Sequence, residues 1–285
     1  MGSHGSLGNV GITTLDHLRI EKKNGTEKIV RVAASTRPED VGAVDLIINF
    51  VKCYHTVAAM RAALPLFRDD TTILSLQNGR GNAERISEIV GHQRLLVSLT
   101  YHSAMLLAPG QNRHPGTGIT YVGELGGRIT PRLTAVVDAL RSAGFEVSES
   151  SRILDEVWKK LALNACTLPT AALLGFCAHR LTQHAGTREL MRGLLAEVAQ
   201  VARAQAIQFD ENERWEAITG LLERAVGAKG SMVQDVQAKR PTEIDVIDGA
   251  IAAAGHRLGI ATPLNESMVW MLKSLEESYL DWAST

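Results

Sequence analysis

Lys160 and Asn164 stand four residues apart in Trp158-Lys159-Lys160-Leu161-Ala162-Leu163-Asn164, an apolar run that suits a helix. At that spacing the two side chains share one helix face, and Val157 and Leu168 flank them on it. An ammonium beside an amide on an apolar face can give up a proton or bind a carboxylate. It can equally be structural, its stem covering the core while its charge reaches water. The stretch alone leaves both readings open.

Two further groups have chemistry to offer. Lys52 follows the apolar run 45–51, and Gln77-Asn78-Gly79 follows the run 72–76. If both runs are strands of an open α/β sheet, these residues fall at its carboxyl edge, where ligands bind. An amide and an ammonium there suit a carboxamide, a phosphate or a substrate carboxylate. Separately, Asn78-Gly79 makes an ordinary turn and Lys52 a solvated strand end. The second group is Ser231-Met232-Val233-Gln234-Asp235, followed by Arg240-Pro241-Thr242-Glu243-Ile244-Asp245. Gly230-Ser231 breaks the chain, and Pro241 or Thr242 starts a helix whose first turn carries Glu243 and Asp245, as the helix dipole favours. A polar run beside a glycine break also suits a ligand loop.

The elements that must carry these residues change character near residue 150. Before it, short apolar runs at 45–51, 72–76, 95–100 and 119–122 alternate with helical stretches such as 56–66. Continuous apolar strands separated by helices predict a parallel sheet covered on both faces. After it, segments 151–174, 188–206, 212–226, 241–258 and 265–278 show helical periodicity punctuated by Gly, Pro or Asn. The expected fold class is α/β followed by all-α. The expected domains are an α/β domain over 1–148 and an all-helical domain over 149–285.

Composition narrows the function. The 30 basic and 31 acidic residues leave a net charge of −1, with no basic block to attract nucleic acid or an anionic membrane surface. No apolar run approaches the roughly 20 residues that span a bilayer. Cys53, Cys166 and Cys177 form no CxxC pair and no metal-ligand spacing, so the chain reads as cytoplasmic, with free thiols and no metal.

The ordered set VKCYHT (51–56), LQNGRGN (76–82), TYHSA (100–104), WKKLALN (158–164), SMVQD (231–235) and RPTEID (240–245) resembles the ketopantoate reductase family. The resemblance runs from about residue 17 to about residue 275, and the C-terminal GIATPLN (259–265) shares it. It implies NADPH-dependent reduction of a 2-oxo acid, such as ketopantoate, to a 2-hydroxy acid. The resemblance makes 1–148 a Rossmann-type dinucleotide-binding domain and 149–285 a helical substrate and dimerisation domain of the 6-phosphogluconate dehydrogenase C-terminal type, with the cleft between them. Carried over position by position, Lys160 matches the family's proton donor, and Asn78, Asn164 and Ser231 match substrate-side positions. Lys52, Asn78, Ala104 and Glu243 match cofactor-side positions, and the expected partners are the substrate and a second copy of the chain.

Two departures qualify these expectations. Gly2, Gly5, Gly8 and Gly11 recur every three residues with no strand before them, which is not a GxGxxG dinucleotide fingerprint. The expectation is therefore an N-terminally truncated, incomplete Rossmann-type domain with weakened or lost NADPH binding. Leu168 and Ala178 also stand where ketopantoate-reducing relatives carry asparagine, which implies a more apolar 2-oxo acid or ketone; His179 beside the second position reads as a helix-end residue. The alternative to an enzyme is a truncated homologue acting as a binding or dimerisation module, with amphipathic helices such as 188–206 packing between subunits.

Overall fold

A computed structural model of the 285-residue chain describes residues 17–282, so the reading of Gly2 to Gly11 lies outside the described residues. The described part opens on a hairpin of β1 (His17–Lys22) and β2 (Glu27–Arg31). Asn24-Gly25 turns it: Gly25 takes a φ of 79°, and the Lys22 N–H donates to Thr26 O at 2.8 Å. There follow β3 (Leu46–Asn49), α1 (Thr56–Ala62), β4 (Thr72–Ser75), α2 (Asn82–Val90) and β5 (Leu95–Thr100). After them come β6 (Ser103–Ala108), β7 (Gln111–Gly116), β8 (Thr120–Gly123), α3 (Pro131–Ser142) and β9 (Val147–Glu149).

These strands form two sheets, one ordered β2-β1-β7-β6 and the other β3-β4-β5-β8-β9. In the second, β3, β4 and β5 run parallel, as the alternation of apolar runs and helices predicts. The run at 119–122 corrects the expectation of a wholly parallel sheet, since β8 pairs antiparallel to β5. The cause is the connection: the chain passes from β5 to β8 through the β6–β7 hairpin, with no crossover helix to carry it back to the starting edge. The crossover α3 does intervene before β9, which is parallel to β8. All four residues of β4 and the first five of β5 are buried, because the sheet is covered on both sides. Met60, Ile73, Ile86, Leu95 and Ile153 pack on one face, and Leu74, Leu96, Val122, Leu133 and Val137 on the other.

The helical part comprises α4 (Ile153–Leu174), α5 (Ala185–Arg203), α6 (Glu211–Arg224), α7 (Ser231–Gln237), α8 (Asp248–Leu258) and α9 (Pro263–Trp282). Two sequence expectations change here. The polar run at 231–235 is helix, not loop: Gly230 is extended, with φ −62° and ψ 159°, and hands directly into α7. The helix expected at 241 is delayed to Asp248. Thr242 gives its hydroxyl proton to Glu276 and accepts the Ile244 N–H, which sets a 3-10 turn at Ile244–Val246 instead of an α-helical first turn.

The 22-residue α4 joins the two parts and is about 33 Å long at 1.5 Å per residue. Its first residue, Ile153, belongs to the sheet core, whereas Trp158, Leu161, Ala165 and Cys166 belong to the helical core. Lys160 thus sits where the two cores meet. Among the described residues no helix is long and apolar enough to cross a membrane.

Candidate active site

The turn after β4 is built by glycine. Gly79 has a φ of 79°, and a Cβ there would lie 2.3 Å from Val246 O, so any side chain is excluded twice over. The close approach lets the Arg80 N–H donate to Val246 O at 2.7 Å, docking the turn onto the helical part beside Glu243. Gln77 ties the ends of β3 and β4 together. Its Nε2 donates to Val51 O at 2.8 Å and to Thr56 Oγ1 at 2.7 Å, and its Oε1 accepts from Asn49 at 2.9 Å.

Helix α4 lays Lys160 across this edge. Its Nζ donates to Asn78 Oδ1 at 2.8 Å and to the Thr100 carbonyl at 2.9 Å, so the ammonium is held inside the protein and does not reach for water as a structural lysine would. Two of its three N–H groups are thereby used, and one is left for an incoming acceptor. Burial pushes the Lys160 pKa down to about 8, with Glu243 pulling weakly the other way. The group is therefore charged at neutral pH yet able to release its proton.

Behind Asn78 lies a chain of charges. Asn78 Nδ2 donates to Glu243 Oε2 at 3.4 Å, and Lys52 Nζ reaches the same oxygen at 3.4 Å and Asp235 Oδ2 at 2.6 Å. Glu243 Oε1 accepts the Cys53 N–H at 3.2 Å, and Asp235 is also held by Arg240 at 3.1 Å. Both carboxylates are buried, Glu243 to 5% and Asp235 to 2% exposure, and their burial is tolerated because each is paired. Burial opposes the charge on Lys52, but Glu243 and Asp235 outweigh it and its pKa is raised.

The structure thus brings together Lys52, Asn78, Lys160 and Glu243 from segments distant in the chain. Asn164 lines, with Asn78 and Lys160, a cavity of about 130 Å³. Ser231 does not line that cavity; it opens α7 beyond Leu168, whose Cδ2 lies 2.6 Å from where a Cβ on Gly230 would stand. Ala104 is exposed on β6 and takes no part in the cluster. Ala178 packs against the helical core, and His179 accepts the Gly227 N–H on Nδ1 at 3.2 Å, a structural bond that accounts for it. Asp235, the Thr100 carbonyl and Arg80 belong to the site and were not singled out as site residues by sequence reasoning. Asp235 lay inside a recognised motif and Arg80 beside Asn78, but a backbone carbonyl has no signature in a sequence. Among the described residues no cluster of three or more His, Cys, Asp or Glu is placed to hold a metal.

A Rossmann-like α/β domain joined to a helical domain, with a buried ammonium poised at the strand ends between them, is the architecture of a two-domain oxidoreductase. The chain belongs to the ketopantoate reductase family: the model of ketopantoate reductase PanE/ApbA matches residues 13–127, and that of its C-terminal domain matches residues 152–276. It is 32% identical over 235 residues to the 2-dehydropantoate 2-reductase of Vibrio cholerae, covering 82% of this chain and 79% of that one. Among solved structures, the 2-dehydropantoate 2-reductase of Geobacter metallireducens is 29% identical with a TM-score of 0.84, over 92% of this chain and 86% of the other. The ternary structure of a D-mandelate dehydrogenase with NADH and anilino(oxo)acetate is 26% identical with a TM-score of 0.85, over 92% and 85% of the two chains.

Proposed function

We propose that this chain uses NADPH to reduce a 2-oxo acid, 2-dehydropantoate or a more apolar relative of it, to the 2-hydroxy acid, with Lys160 as the proton donor. The observation that carries the reading is the Lys160 ammonium, buried, held by Asn78 and Thr100, and lowered to about 8. When bound, NADPH would supply the hydride that adds to the carbonyl carbon and leaves an alkoxide on its oxygen. Lys160 stabilises the developing negative charge and then delivers its proton to that oxygen. Asn78 fixes the direction of the ammonium, and Glu243, on the far side of Asn78, holds the amide and favours the charged form of the lysine.

The donor set at the strand ends suits the nicotinamide half of the cofactor. Asn78, Lys52 and Glu243 offer both donors and acceptors, as ribose hydroxyls and a carboxamide require. Lys52 acts there through Glu243, since its ammonium already bridges two carboxylates. Ala104 is assigned to the cofactor side by the family resemblance alone, since it lies exposed on β6 outside this cluster. Asn164 and Ser231 are the substrate-side polar groups, and Leu168, packed against the helical core, stands beside Gly230 at the start of α7. That leucine favours an apolar substituent on the substrate, which agrees with the anilino group of the ligand in the D-mandelate dehydrogenase complex.

The division of labour follows the two parts, residues 1–148 for the dinucleotide and 149–285 for substrate and assembly. A homodimer fits the exposed Trp270 and Met271 on α9, and the three free thiols fit the cytoplasm. The test is NADPH oxidation by the purified chain against a series of 2-oxo acids with aliphatic and aryl substituents. Turnover that rises with apolar bulk supports the reading, and no oxidation with any member of the series refutes it.

A further inference from the structure

Arg80 carries a charge that the described protein leaves without a counter-ion. No ion pair or side-chain hydrogen bond holds its guanidinium among the described residues, and its Nη1 is buried with no partner. What does hold it is the face of Trp158, 5.1 Å from the guanidinium carbon to the ring centroid. Such stacking satisfies the plane of the group and leaves its N–H edge free for the fork-like pairing that a carboxylate offers. Burial is the main penalty on this charge; Glu84 offsets part of it, and Arg257 adds to it. A desolvated cation without an anion is costly, and a ligand that supplies the anion removes that cost.

The location says which ligand. Arg80 lines the cavity of about 130 Å³ shared by Asn78, Lys160 and Asn164, with Leu154 and Val157 as its apolar wall, and also the neighbouring cavity of about 400 Å³ lined by Glu84, Asp245 and Arg257. Its backbone is pinned by the Val246 carbonyl at 2.7 Å and its side chain by Trp158, so the guanidinium is fixed before anything binds. A 2-oxo acid presents two acceptors on adjacent carbons, a carbonyl oxygen and a carboxylate, and this cavity presents two cations.

We infer that Arg80 is the carboxylate anchor of the site, pairing with the acid group of the substrate while Lys160 meets its carbonyl oxygen. The inference rests on the reading of the Lys160 cleft as the reducing site. It makes Arg80 the residue that selects 2-oxo acids over neutral ketones and esters.

The test is calorimetric titration with oxamate, an unreactive 2-oxo acid mimic, and with its neutral ester ethyl oxamate, in the presence of NADP⁺, for wild type, Arg80→Lys and Arg80→Met. NADPH-dependent turnover of a 2-oxo acid and of its methyl ester is measured on the same proteins, and thermal melts verify that each is folded. The expected result is that Arg80→Met weakens oxamate roughly 10- to 100-fold, the worth of a charge-assisted hydrogen bond, with ethyl oxamate unchanged and Arg80→Lys in between. Equal oxamate affinity in wild type and Arg80→Met, parallel loss of both ligands, or no oxamate binding to wild type would each overturn the anchor. Arg80-dependent oxamate binding without any turnover would keep the anchor and remove the reductase reading. Turnover indifferent to Arg80→Met would do the reverse.

Discussion

At the scale of residues, Lys160 owes its chemistry to partners that are remote in the chain. Asn78 and Thr100 lie 82 and 60 positions away, and each contributes one oxygen to the ammonium. Because the proton donor must be the charged form, and burial lowers its pKa to about 8, the rate is expected to fall as pH rises through about 8. Glu243 raises that pKa, so Glu243→Gln should move the alkaline fall to lower pH. A pH profile of kcat for both proteins checks this, and superimposable alkaline limbs would show that Glu243 does not act on Lys160. The sequence made part of this legible. The four-residue spacing of Lys160 and Asn164 put both on one helix face, and the strand ends drew attention to Lys52 and Asn78. What it left out was pairing: nothing in Lys52 or Asp235 alone says that they bridge at 2.6 Å, because the bond exists only once α7 packs beside the sheet.

At the scale of elements, the turn at Gly79 and the helix α4 position the site. Gly79→Ala is expected to destabilise the protein by more than the ~1–2 kcal/mol that a left-handed backbone costs an L-residue, because the added Cβ also meets the Val246 carbonyl. The turn carries Asn78, so kcat/KM should drop together with the melting temperature, and a variant matching wild type in both would contradict the role given to this contact. Buried strands β4 and β5 were readable because continuous apolar runs mark strands covered on both faces. The direction of β8 was not, since local composition does not report which edge the chain enters from. Strand β7 is polar, β6 is an apolar run that stays largely exposed, and the alternation in β1–β2 is too weak to register, so none of them carries the signature of a covered strand. Helix α7 was obscured by its length of seven residues and by Gly-Ser at its start.

At the scale of the whole molecule, two cores are joined through α4, and the site depends on the helical part keeping its packing. Asp248, at the start of α8, is fully buried, and neither carboxyl oxygen has a partner among the described residues. Burial drives its pKa well above the ordinary value, so the folded state holds a proton that the unfolded chain gives up near pH ~4. Stability tied to that proton is fully present below the unfolded pKa and is lost as pH rises toward the folded one. Asp248→Asn has no proton to lose, so it should raise the melting temperature, and by more at about pH 8 than at about pH 5. An equal shift at both values would mean that Asp248 is not neutral in the fold. The central claim is that this fold reduces a 2-oxo acid by proton transfer from Lys160. The measurement that bears on it most directly is kcat for NADPH-dependent 2-oxo acid reduction by wild type and Lys160→Ala, both confirmed folded. A loss of roughly 10²- to 10⁴-fold is expected when a general acid is removed. A Lys160→Ala enzyme within a few-fold of wild type would contradict it.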